Sequence, residues 1–508
     1  MPSRTALRLG TRDSLLARAQ SRLVARALQA ADPGIEIELV TIETRGDRDR
    51  ATPLGNVRDP GFFSAELDDA LLAGEVDFCV HSLKDLPLEP RPGIVTAAIP
   101  QREDPRDVVL FRPEVLALLR GDERLRIGSS SDRRVNAGLE FLPEALPKLG
   151  SSLPALDFPP LRGPVDDRVA RLRLPRSDPR SLDGAVLALA GLARLWGDRE
   201  GHARLAPLLE GTRCIVLPLS ECPAAPGQGA LAIDCREADT RLRRLLAEIN
   251  DAPSARRALR EIALLRAQPE ADRGGFAATT LRHQACGTLM FTRSRAGQHL
   301  IWQQPPRPQS PRRWDGADWV HASDYRPLPR VDFGSAPALF LAHWRALVPG
   351  RTLAPTTRVW VSGVKSWRRL AARGVWVEGC ADDLGFEAVR NTLLSSVLRL
   401  PPLRDWTALT RSDATETWAT SGVGRVLATY SMLKPDDDDA LAEIQRHVAR
   451  ATHFYWGSTA QYRALAQWLP PDSHHACGPG KTFSALRAAG VANLQAFPSR
   501  REWQSWLA

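Results

Sequence analysis

The chain is poor in lysine. Only five of its 68 basic residues are lysines (84, 148, 365, 434 and 481), and the rest are arginines. Before residue 300 it has one tryptophan, Trp196, and no tyrosine. A nucleic-acid partner is therefore not expected, because single strands stack on aromatic side chains. No stretch approaches the ~18 uninterrupted apolar residues of a membrane span. MPSRTALRLGTRDS lacks the apolar region of a secretory signal, so no membrane is expected and the chain reads as cytoplasmic. The seven cysteines (79, 214, 222, 235, 286, 380 and 477) form no CxxC pair and are odd in number. That argues against a zinc knuckle, any other metal site and a disulfide framework. Nucleotide-binding signatures are missing too. There is no GxxxxGK[ST] and no GxGxxG after a strand, and Gly478-Pro479-Gly480-Lys481-Thr482 imitates only the end of a P-loop.

What remains is a globular composition with a formal net charge of +9. Arginine favours bidentate contact with carboxylates and phosphates, although GC-rich codon usage with a solvated basic surface accounts for the excess equally well. At ~100–200 residues per domain, 508 residues imply several domains. Thirteen of the 14 tryptophans lie between Trp302 and Trp506, and a Pro/Arg-rich stretch, QQPPRPQSPRR, runs from 303 to 313. The chain is expected to divide there. Before that point strand and helix signals alternate: LRL (7–9), then SLLARAQSRLVARALQA, IEIELVTI (35–42), FSAELDDALLAG and VDFCVH (76–81). This order predicts an α/β fold with mostly parallel sheets covered on both faces.

Four strand-to-helix turns carry the candidate chemistry. They are Gly10–Ser14, His81–Asp85, Gly128–Arg134 and Leu161–Arg168. Each offers backbone N–H groups, capping side chains and a nearby cation, and helix N-termini at the carboxyl ends of parallel strands attract anions. Plain capping is the competing reading, since Ser and Asp are the preferred N-caps. Together the four suit a ligand with several carboxylates. Asp85 either stabilises a developing cation or shuttles a proton, or it pairs with Lys84 or caps the turn. His81 reads as a core or turn histidine.

LRLGTRDSLLARAQ, TRGD (44–47), HSLKDLP (81–87), REDPRD (102–107), IGSSSDRR (127–134), LALAGLARL (187–195) and PGQGALAIDCR (226–236) resemble, in order, the hydroxymethylbilane synthase (porphobilinogen deaminase) family. The likeness runs over residues 5–302. It implies two doubly wound domains of periplasmic-binding-protein type, a small α+β domain, and a dipyrromethane cofactor thioether-linked to a cysteine. The implied reaction joins four porphobilinogen molecules into hydroxymethylbilane. By motif position Asp85 resembles the catalytic aspartate, and Arg12, Ser14, Lys84, Ser129, Ser131, Arg133, Arg134, Arg162 and Arg168 resemble the carboxylate-binding set. Cys286 is the implied attachment point. Three departures stand out. Gln284-Ala285-Cys286 replaces Gly-Gly-Cys, with QPEADRGGFAATT (268–280) reading as an insertion before it. Arg162-Gly163-Pro164 replaces Arg-Gly-Asn. The loop that carries lysines in the family reads Asn56-Val57-Arg58-Asp59-Pro60-Gly61-Phe62.

The expected division is a first domain of 1–100 and 200–238, a second of 101–199, a cofactor domain of 239–303, a linker of 304–335 and an α/β region of 336–508. The last region resembles uroporphyrinogen-III synthase, with Ser458, Thr459, Gly478 and Thr482 as carboxylate-binding candidates. A monomer is expected. The competing readings are a carboxylate-binding protein or a non-catalytic relic of the same fold.

Overall fold

The computed structural model describes residues 5–48, 62–328, 331–333, 336–435 and 437–508. The expected loop from Asn56 through Pro60 to Gly61 lies outside the described residues. Five sheets organise the described residues.

The first sheet has the order β2-β1-β3-β10-β4, with β1 Thr5–Thr11, β2 Ile35–Thr41, β3 Phe78–Ser82, β4 Ile94–Ala98 and β10 Leu231–Arg236. Strand β1 runs parallel to both neighbours, and β10 returns antiparallel between β3 and β4. The second sheet is β7-β6-β8-β5-β9, with β5 Asp107–Phe111, β6 Leu125–Gly128, β7 Leu156–Asp157, β8 Gly184–Ala188 and β9 Arg213–Val216. Both sheets are mixed. Their parallel strands feed the helices that sequence periodicity indicates, such as Leu15–Ala31, which buries Ala19, Val24, Ala25 and Leu28. Because β9 pairs with β5, the chain returns to the first sheet after residue 216 rather than at 200. The helix Arg199–Leu209 and β9 belong with the second sheet.

The third unit combines the helices Thr240–Ala247 and Ala252–Arg266 with an antiparallel sheet of β11 Ala277–His283, β12 Gly287–Ser294 and β13 Gly297–Trp302. The stretch read as an insertion is ordered: Glu270–Arg273 form a helical turn. Residues 277–280 are the first half of β11.

The C-terminal part holds two α/β sheets. One is β15-β20-β19-β16-β17-β18, from Tyr325–Pro327, Arg425–Met432, Trp406–Arg411, Ala338–Leu341, Arg358–Val361 and Gly379–Cys380. The other is the parallel β14-β21-β22-β23, from Arg313–Trp314, His453–Trp456, His474–Cys477 and Leu494–Ala496. The expected linker 304–335 thus contributes a strand to each of these sheets.

The tryptophans that mark the compositional boundary also close it. The Val216 N–H donates to the Glu378 carbonyl at 2.7 Å, joining the edges of the second sheet and the six-stranded sheet. Trp367 donates to the Ala145 carbonyl at 2.9 Å and meets Phe141 edge-to-face, and Trp376 does the same with the Cys214 carbonyl and Phe111. The two sheets share continuous apolar cores. Edge strands left unpaired invite association, and here the chain covers its own edge. No helix among the described residues is long and apolar enough to cross a membrane.

Candidate active site

The four turns stand at carboxyl ends of parallel strands. Arg12 and Ser14 follow β1, Lys84 and Asp85 follow β3, Ser129 and Ser131 follow β6, and Arg162 follows β7. Asp85 ends a single 3₁₀ turn, Leu83–Asp85, whose Leu83 is buried. Its carboxylate is exposed and has no hydrogen-bond partner among the described residues. Lys84 does not pair with it. The Lys84 Nζ donates instead to Gln228 Oε1 at 3.1 Å.

Gln228 sits in the turn Pro226–Gly229 between β9 and β10 and is fully buried. Gly229 has φ +86°, and an added Cβ would lie 2.5 Å from the Glu103 carbonyl oxygen, so glycine is required. Gln228 Nε2 donates to the Pro105 carbonyl at 2.7 Å and to Asp107 Oδ1 at 2.8 Å. Asp107 is the hub. It accepts from Arg133 Nη2 and from Arg134 Nη2, each at 2.7 Å, with no solvent exposure. Burial works against its charge, but the two guanidiniums win and hold its carboxyl far below the usual range.

This changes the role of two expected residues. Arg133 is 4% exposed, and its second Nη donates to the Pro223 carbonyl. Arg134 also donates to Asp107 through Nε. Both bind a carboxylate, but it is the protein's own. Their charge still acts at a distance, because Arg134 lowers the proton affinity of Lys84 and Arg168.

The available cations are others. Burial, ahead of Arg134, pushes Lys84 down to about 8, with Asp85 opposing. Burial likewise lowers Arg168 to about 10, with Arg134 and Arg162 adding to it and Asp85 opposing. Among the described residues Arg168 spends only Nε, on the Gly163 carbonyl. One Nη of Arg162 is buried with no partner among the described residues. Lys84 and Arg168 therefore share Asp85 as an opposing charge, with Arg162 adding repulsion at Arg168, an arrangement that an entering anion would relieve. Arg12 lies with its guanidinium 4.6 Å from the Phe63 ring centre.

The serines divide. Ser14 caps its helix, accepting from the Ala17 N–H at 3.2 Å. Ser129 is buried and accepts from the Ser131 N–H. Ser131 makes no cap and is half-buried, so its hydroxyl remains open to a ligand. His81 is a core histidine whose proton affinity is lowered by burial. Three supporting residues escaped assignment, although all lay in the quoted motifs: Asp107 in REDPRD, Gln228 in PGQGA and Arg194 in LALAGLARL. The third, Arg194, donates to the Gly229 carbonyl at 2.6 Å and anchors the same turn.

Cys286 does not join this group. It occupies the turn between β11 and β12, among Leu289, Trp302, Leu384, Tyr455, Phe497 and Trp503, and is 6% exposed. Burial pushes its thiol up to about 12. The site thus suits the carboxylates of a pyrrole ligand but brings no cysteine to them. In the C-terminal part, Ser458 caps the helix Thr459–Leu465 after β21, and Gly478 and Thr482 border the turn after β22.

Residues 7–244 match the family model "porphobilinogen deaminase, dipyromethane cofactor binding domain". Proteins named porphobilinogen deaminase are similar over the same part. The one from Syntrophotalea carbinolica is 38% identical over 264 residues, 52% of this chain and 75% of the relative. That from Gloeobacter violaceus is 38% identical over 52% and 73%, and that from Acidothermus cellulolyticus 38% over 58% and 84%. Among solved structures, the methionine-binding protein MetQ aligns with 51% of this chain and 94% of its own at 13% identity and a TM-score of 0.26. On these sequence matches, this chain belongs to the porphobilinogen deaminase family.

Proposed function

We propose that the chain is a hydroxymethylbilane synthase, condensing porphobilinogen with loss of ammonia into a linear tetrapyrrole at Asp85. The observation that carries this reading is the surplus of positive charge around that exposed carboxylate, including the unpartnered buried Nη of Arg162. Each substrate ring brings an acetate and a propionate. In this reading Arg162, Arg168, Lys84, Arg12 and the Ser131 hydroxyl take them, supported by the spare donors of Arg162 and Arg168 among the described residues. In each coupling the C–N bond of one aminomethyl group breaks and a C–C bond to the next ring forms. The pyrrole α-proton leaves with the ammonia. Positive charge builds on the pyrrole nitrogen as ammonia departs, and Asp85 supplies the opposing charge. Purified protein should release ammonia from porphobilinogen and form an Ehrlich-positive linear product. Tight binding without turnover would favour the carboxylate-binding reading instead.

Arg162→Leu or Arg168→Leu should raise KM. A charge-assisted contact contributes ~1.5–3 kcal/mol, so the rise should be ~10- to 100-fold. The melting temperature should change little. Unchanged KM in both variants would remove them from the substrate site.

A second activity, uroporphyrinogen-III synthase, fits the C-terminal part. Its two α/β units meet where the turn after β18 touches the turn after β22, with a Cβ at Gly385 only 2.9 Å from the Gly480 Cα. Ser458 and Thr459 lie after the neighbouring β21, and Gly478 and Thr482 flank Gly480. Premade hydroxymethylbilane given to the whole chain should yield mainly the type III isomer. The type I product of spontaneous closure would limit this part to covering the second sheet.

A further inference from the structure

Building on the proposed function, we infer that the linear pyrrole at Asp85 is held by ion pairs alone, with no thioether to this chain, and that Phe276 occupies the position where a tether would stand. All seven cysteines are buried. Cys286 is separated from the site by the length of a strand. The β11 end that approaches the site is its first residue, not its last. The Ala278 N–H donates to the Ala224 carbonyl, and Thr279 Oγ1 accepts from the Ala224 N–H at 2.7 Å. The Thr280 N–H donates to Glu261, which also accepts from Gly227 and from both Nη groups of Arg102. Those residues hold the turn whose Gln228 receives Lys84. From Ala277 to His283 the strand advances ~3.3 Å per residue. Cys286 therefore lies roughly 20 Å beyond that end. There it faces the tryptophans of the C-terminal part, and the His283 ring accepts its backbone N–H.

At the near end the chain reads Gly274-Gly275-Phe276, directly before β11. The Gly-Gly pair expected before the attachment residue is thus present, ten residues earlier than Gln284-Ala285, and its third member is phenylalanine. A phenyl ring forms no thioether. Retention then falls to the cations, and Arg162 and Arg168 have donors to spare for it. An untethered starter ring keeps its own aminomethyl group, so three couplings among four substrate molecules release three ammonias. The fourth amine is lost only when water displaces it.

Intact mass of the whole chain, before and after porphobilinogen, tests the inference. Wild type should keep its sequence mass when denatured, and pyrrole retained by native protein should come off in high salt. Phe276→Cys should gain two porphobilinogen units less two ammonias. In that variant the first C–N bond is replaced by a C–S bond, with the thiol proton leaving in the ammonia. Cys286→Ala should match wild type in mass, pyrrole retention and ammonia release. A wild-type adduct mapped to Cys286 would overturn the inference and leave the proposed function standing. Unmodified Phe276→Cys that is folded by circular dichroism and still turns over would overturn the assignment of position 276. If that variant does not fold, wild-type mass and salt release decide the question of the tether, and Cys286→Ala decides the role of Cys286. Unmodified wild type that releases no ammonia would retain the inference about attachment and refute the proposed function.

Discussion

Asp85→Asn should lower turnover of porphobilinogen by ~10²–10³-fold, with the melting temperature nearly unchanged. The substitution keeps size and shape but removes the negative charge. That charge opposes Lys84 and Arg168, and under the proposed function it is the exposed carboxylate that meets the pyrrole nitrogen as it becomes positive. Without it the local potential becomes more positive and opposes loss of ammonia. Binding of the substrate carboxylates should hold or tighten, because an opposing charge has gone. The expected pattern is therefore a fall in kcat with KM unchanged or lower. Stability is spared because the side chain is exposed and has no hydrogen-bond partner among the described residues. Ammonia release at the wild-type rate would show that Asp85 plays no electrostatic part.

Asp107→Asn should do the reverse and destabilise the fold by ~3–5 kcal/mol, the usual cost of removing one partner from a buried ion pair. Arg133 and Arg134 would be left as adjacent buried cations without their counter-charge, and one of the two acceptor oxygens would become an amide NH2 facing donors. Urea unfolding measures the loss. The pH dependence has a definite sign. The folded carboxyl titrates well below its ordinary value of 3.8. Its contribution is thus present at neutral pH, and it is lost only as pH falls below the ordinary value toward the folded one. Asp107→Asn should remove that part of the acid dependence. Equal stabilities of wild type and variant at pH 7 would reduce the buried triad to a neutral feature.

Much of the site is legible in sequence because it is local. A strand, a Ser/Asp-rich turn and a helix start are written within a dozen residues, so the placement of Arg12, Asp85, Ser131 and Arg162 at strand ends follows from order alone. The same locality explains the misreadings. SSSDRR cannot show that its two arginines are already committed, because Asp107 lies on another strand, 26 residues before Arg133. Nor can the sequence show that the pairing of His283 with Gly287 puts Cys286 in a hairpin turn against the C-terminal tryptophans. Residues 304–335 look like a linker because proline and arginine dominate, yet Trp314 is buried and Tyr325 pairs with Met432.

The sequence by itself determined the order of strands and helices, the family and the residues that close each turn, since hydrophobic period and capping act over a few neighbours. Only the tertiary structure decided which cations remain available to a ligand, which end of β11 braces the Gln228 turn, and that the tryptophan-rich half seals the edge of the second sheet. Those outcomes depend on burial and charge pairing between residues up to hundreds of positions apart, and neither leaves a local pattern to read.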